Sequence, residues 1–262
     1  LIPLGQPLLI KTGVVLSTTG LMLAVPENAF ARDAYYYFNR AYEKAEQGDY
    51  YGAIADYTKA IEKNPEDLEA YYNRGIAKAD LKDYEGAIAD YTEAIEINPK
   101  YADAYAMRGV AKADLKDYEG AINDYTEAIE INPYQQNTYY NRGIAKADLK
   151  DYEGAIADYT KAIEIVPKFS SAYYNRGVAK DELKDYEGAI ADYTKAIEIN
   201  PKYVNAYANR GIAKENLEKS NFIRYLFKGN LKSACDDWRQ ASSLGDDEAS
   251  KWVKDQCDMI DI

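Results

Sequence analysis

The sequence predicts an all-α fold, a solenoid of about six helix-turn-helix units closed by a C-terminal capping helix, and three spacings carry that prediction. Gly75, Gly109, Gly143, Gly177 and Gly211 recur every 34 residues. Ala53, Ala87, Ala121, Ala155 and Ala189 keep the same interval, and so do Pro65, Pro99, Pro133, Pro167 and Pro201. A hairpin of two short amphipathic helices cannot bury its apolar face alone, so units that recur at this period must stack.

The elements follow in order within each unit. Taking Leu68–Tyr101 and numbering from its start, a first helix is expected over about positions 2–14 and a second over about 18–30. Gly75 and Ala87, at positions 8 and 20, are small where the two helices must approach closely. Tyr71 and Tyr91 fill the space beside them, and Ala94 leaves room for the following unit. Asn98-Pro99 ends the second helix, because proline disfavours helical backbone at the residue before it. The units run 34–67, 68–101, 102–135, 136–169, 170–203 and 204–245. The last is irregular: Gly211 and Ala234 are 11 residues further apart than their counterparts, an insertion at about 215–230 that contains Phe222–Phe227. That insertion reads either as a lengthened helix or returning loop, or as a docking element. A final amphipathic helix, about Asp246–Met259 within 246–262, is expected to cap the stack.

The 34-residue landmarks resemble the tetratricopeptide repeat (TPR), with Tyr71, Lys78 and Tyr91 where that family usually carries Trp, Tyr and Phe. The near-identical Asn-Arg-Gly and Asp-Tyr-Glu-Gly-Ala-Ile segments look like TPR proteins abundant in cyanobacteria and plastid lineages. The resemblance implies a right-handed solenoid whose first helices line a concave groove for a protein or peptide partner. Positions transferred from it put Asn39, Asn73, Asn141, Asn175 and Asn209 in the groove, in a row interrupted by Met107. Tyr72, Tyr140 and Tyr174 lie beside them, and Asp80, Asp114 and Asp148 form an acidic row. Asparagine offers donors and an acceptor to an extended backbone, tyrosine offers stacking area, and the acids favour Lys- or Arg-bearing ligands. The other reading keeps Asn and Tyr within the solenoid, bonding a neighbouring helix or facing water. Phe38 and Tyr42 replace the Lys and Asn with which relatives clamp a C-terminal carboxylate, so that mode is not expected. Arg40 and its five counterparts at position 7, with aspartate at position 23, suggest a repeated ion pair between packed helices, while Lys78, Lys112, Lys146, Lys180 and Lys214 read as solvated surface.

Composition narrows the function. The 262 residues hold no histidine and only two cysteines, so the commonest general base and metal ligand are missing. No glycine-rich phosphate loop or nucleophile pairing is present; no enzyme, cofactor or metal site is expected. A net charge of −12 disfavours nucleic acid and anionic lipid. Residues 1–31 stand outside the repeat: Lys11, the apolar Thr12–Val25 and Ala29-Phe30-Ala31 have the layout of a signal peptide or an uncleaved membrane anchor. Membrane contact is expected only there, and the location is either exported (periplasm or thylakoid lumen) or membrane-anchored. Cys235 and Cys257 flank the Leu244-Gly245 turn, where antiparallel helices bring them near each other; they form a disulfide or two buried thiols. Three functions fit: a non-enzymatic scaffold with a peptide groove, a membrane-anchored assembly factor for membrane (including photosynthetic) complexes, and a self-associating solenoid.

Overall fold

A computed structural model describes residues 27–220 and 231–257 of the chain. Phe222–Phe227, residues 1–26 and residues 258–262 lie outside them. Thirteen α-helices and a terminal π-helical turn make up the described residues. They are α1 (Glu27–Glu46), α2 (Tyr50–Lys63), α3 (Leu68–Asp80), α4 (Tyr84–Ile97), α5 (Ala102–Asp114), α6 (Tyr118–Ile131) and α7 (Gln136–Asp148). Then come α8 (Tyr152–Ile165), α9 (Ser170–Glu182), α10 (Tyr186–Ile199), α11 (Val204–Ser220), α12 (Leu231–Ser243) and α13 (Asp247–Trp252). No helix among the described residues is long and apolar enough to cross a membrane.

Each second helix packs on the first helix of its own unit and on that of the next. Successive first helices also touch one another, which sets them on the inner side of the curve. The glycine at position 8 makes the hairpin: a Cβ on Gly143 would sit 2.7 Å from Cε1 of Tyr159, a ring that is itself 2% exposed. Ala162, Ile163 and Ala172 then close one unit on the next, and the same trio recurs as Ala94, Ile95 and Ala104.

The Asp-Tyr-Glu-Gly segment has a local cause. Asp151 caps α8 by accepting a hydrogen bond from the Gly154 N–H at 3.0 Å. The hairpin turn closes α7 with a Schellman pattern: Lys150 N–H reaches Ala147 O at 2.8 Å and Asp151 N–H reaches Lys146 O at 2.9 Å. That turn needs a left-handed residue. Gly48 supplies it in the first unit at φ 78°, whereas Lys82, Lys116, Lys150 and Lys184 adopt φ of 63–64°. A side chain there costs about 1 kcal/mol relative to glycine.

The ends depart from the pattern. Helix α1 begins at Glu27, seven residues ahead of the unit boundary at Ala34, and α11 runs on to Ser220 into the insertion. The capping helix, expected over about Asp246–Met259, is described as far as Cys257. Its α-helical part ends at Trp252, and Val253–Cys257 continues as a π turn that seats Cys257 among Cys235, Trp238 and Ala249.

Candidate functional site

The inner layer of first helices is held in place by one polar cluster repeated along the solenoid. In the fourth unit Arg142 grips Asp158 with two hydrogen bonds, Nε to Oδ2 at 2.9 Å and Nη2 to Oδ1 at 2.7 Å. Its third nitrogen, Nη1, donates to Thr126 Oγ1 of the preceding unit at 3.0 Å, and that hydroxyl in turn donates to Ile122 O. The guanidinium also lies 5.7 Å from the centre of the Tyr139 ring. One arginine therefore joins two helices of its own unit and stitches that unit to its neighbour.

The lysine row is a correction. Lys146 Nζ stands 2.8 Å from the second oxygen of Asp158, and Lys78, Lys112, Lys180 and Lys214 do the same to their own aspartates. Each buried carboxylate holds two cations, a requirement that a sequence row of lysines does not display by itself. The first unit shows the electrostatic consequence: the Arg40 guanidinium, with Lys44 beside it, holds the Asp56 carboxyl at about 2 against the opposing effect of burial. The frequency and burial of this cluster make it structural.

The inner face is less uniform. Asn175 donates to the Tyr140 hydroxyl and Asn209 to the Tyr174 hydroxyl, each at 3.0 Å, so these asparagines tie one first helix to the one before. Asn73 donates to its own helix at Glu69 O, 2.7 Å away. Asn39 is partly exposed. Tyr72, Tyr140 and Tyr174 each stack on the aromatic that ends their unit: Tyr72 on Tyr101 at 5.1 Å, Tyr140 on Phe169 at 4.8 Å and Tyr174 on Tyr203 at 4.9 Å. Burial, with Asp103 and Glu69 nearby, pushes the Tyr72 hydroxyl up to about 12, so it stays a neutral phenol.

Two cavities open along the line between α5 and α7. One, of about 420 Å³, is lined by Tyr72, Asp103, Ala106, Met107 and residues 135–138. The other, of about 280 Å³, takes in Asn141, Asp114 and Asp148, with Val110, Ala113 and Ile144 as its apolar wall. Thus, of the sequence-based set, Tyr72 lines the first cavity and Asn141, Asp114 and Asp148 the second, while Asp80 is exposed further along the same layer. Asp80, Asp114 and Asp148 are each the last residue of a first helix. A carboxylate at a helix C-terminus meets the negative end of the macrodipole, which disfavours it by about 0.3–1 kcal/mol. Ala106 and Gln135 lie outside the sequence-based set; their signal is that Ala106 interrupts the aromatic run of units 1, 2, 4 and 5 at its position, and Gln135 the aromatic unit ends Tyr101, Phe169 and Tyr203.

At the far end Cys235 and Cys257 are joined as a disulfide with Cα atoms 5.6 Å apart, linking α12 to the terminal turn. No group of acidic or cysteine side chains that could hold a metal occurs among the described residues.

Comparison with known proteins agrees with this architecture. The tetratricopeptide repeat family model matches residues 68–101, 102–135, 137–169 and 170–203, and a TPR repeat model matches residues 41–82. No curated protein matches. Among solved structures, MamA protein is 26% identical with a TM-score of 0.62, covering 65% of this chain and 93% of its own. YrrB, described as a TPR protein with an unusual peptide-binding site, is 26% identical with a TM-score of 0.60, covering 70% of this chain and 93% of its own. A tetratricopeptide repeat protein from Parabacteroides merdae is 20% identical with a TM-score of 0.64, over 85% of this chain and 98% of its own, a likeness of fold.

Proposed function

The chain belongs to the tetratricopeptide-repeat family, and we propose that it is a non-enzymatic scaffold whose inner groove holds a segment of a partner protein with basic side chains. The observation that carries this reading is the acidic end of the first helices. Asp80, Asp114 and Asp148 are exposed, stand on the inner layer and occupy the position where the helix dipole opposes a carboxylate. A repeated local cost without a salt-bridge partner favours a role in attracting cations. YrrB, similar in fold and described as having an unusual peptide-binding site, supports a peptide as the kind of partner.

The test is capture of partners from cell extract at low and high salt by the wild-type chain and by a variant carrying D80N, D114N and D148N together. The expected result is capture at least tenfold weaker in the variant, with the salt dependence lost and thermal stability equal or raised. Unchanged capture would remove the acidic row from the binding account.

Export belongs to the same proposal. Thr12–Val25, the small residues at Ala29 and Ala31, and the paired cysteines support a chain that works where thiols are oxidised. Intact mass of the native protein decides between a cleaved and an anchored form: a chain starting at Arg32 means a soluble scaffold, and a retained segment in the membrane fraction means an anchored assembly factor.

A further inference from the structure

We propose that the cleft between α5 and α7 is a two-point docking site for an extended partner segment bearing an aromatic side chain and, three to four residues along, a lysine or arginine. It rests on the groove reading above and adds a place and a pattern to it.

The first point is a missing ring. Units 2, 4 and 5 each stack a tyrosine of the first helix on the aromatic that closes the unit. Unit 3 has Ala106 and Gln135 at those two places, and both contribute to the 420 Å³ cavity. The polar replacements form a connected set. Gln135 Nε2 donates to Asp103 Oδ1 at 2.6 Å, and its Oε1 accepts from Thr138 Oγ1 at 2.9 Å. Thr138 is 4% exposed, and the corresponding residues of the neighbouring units are Ala104 and Ala172. Met107 breaks the row too: it stands where an asparagine would reach the Tyr72 hydroxyl, as Asn175 reaches Tyr140. Four departures thus line one cavity, a slot with the Tyr72 ring on one side and Met107 beside it. An aromatic side chain from a partner would pack there on the Tyr72 ring and the Met107 thioether, in the space where neighbouring units place their own pair of rings.

The second point is the acidic end of the same cleft. Asp114 and Asp148, both exposed, line the second cavity together with Asn141. Ala106 offers Asn141 no hydroxyl, in contrast to the Tyr140 that receives Asn175. Two carboxylates at one cavity suit an ammonium or guanidinium group, and the asparagine amide suits a peptide carbonyl beside it. Ala106 and Asp114 are separated by two helical turns, about 12 Å. An extended chain covers that distance in about three to four residues, which sets the aromatic-to-basic spacing.

A random nonapeptide display library selected on the intact chain tests both points. The expected result is enrichment of peptides with Phe, Tyr or Trp three or four positions from Lys or Arg. A variant combining A106Y, M107N, Q135Y and T138A rewrites the junction as its neighbours have it, and should melt at or above the wild-type temperature. On it the enrichment should fall at least tenfold. A second variant, D114N with D148N, should keep the aromatic preference and lose the basic one. Peptides retained equally by all three chains would overturn the two-point site while leaving groove binding intact. No peptide enriched on any chain would overturn both.

Discussion

The junction between α7 and α9 and the junction between α5 and α7 are built from the same parts list and differ on one face. On the side of the second helices they match: each has the glycine against a buried tyrosine, and each has one aspartate held by an arginine and a lysine. On the inner face the first has Tyr140, Asn175 and Phe169 joined by stacking and a hydrogen bond. The second has Ala106, Asn141 and Gln135 at those three places, and a cavity. The difference separates positions that must be kept for units to stack from positions free to vary because they face outward from that stack.

Two substitutions break the shared side. Asp158→Ala leaves Arg142 and Lys146 without their common carboxylate and Thr126 without a fixed donor; the expected loss is about 3–5 kcal/mol, read from urea unfolding. Gly143→Leu drives a side chain into the Tyr159 ring and should cost about 3 kcal/mol by overpacking. Near-wild-type stability in either variant would mean that the solenoid does not depend on this repeated frame.

Two more sharpen the variable side. Asp181 stands where other units carry Ala79, Ala113 and Ala147, and its Oδ1 is buried without a hydrogen-bond partner. Burial, with Glu182 adding, raises its carboxyl to about 6. The folded chain therefore keeps a proton that the unfolded chain loses between about pH 4 and 6, so stability falls as pH rises through that window. Asp181→Ala should raise stability by about 2 kcal/mol at pH 7 and by little of electrostatic origin below pH 4. A gain independent of pH would point to packing in place of charge. The smallest effect belongs to Met107→Asn, which gives the Tyr72 hydroxyl the donor it lacks. The expected gain is below about 1 kcal/mol, with a shift in the Tyr72 ring resonances.

Much of this was legible before any coordinates. Five glycines and five prolines at one interval placed the helices to within a residue or two, since small residues and helix stops act locally. The arginine–aspartate partnership was legible too, because both types recur together. Lys146 was not: a lysine on a helix surface has the same sequence signature whether it meets water or a carboxylate 2.8 Å away. Nor was the left-handed turn at Lys150, where tertiary packing of the hairpin overrides the preference for glycine that Gly48 displays. The change from α turn to π turn at Val253–Cys257 was not legible either, because apolar spacing does not distinguish the two.

The sequence by itself determined the period, the helices, the stacking and the absence of histidine, because each is a property of residue type and interval. The tertiary structure alone decided what the inner face does at each step. Whether an asparagine is spent on a tyrosine, as at Asn175, or lines an open cavity, as at Asn141, depends on the residue a whole unit away in sequence and adjacent in space. That pairing exists only once the units have stacked.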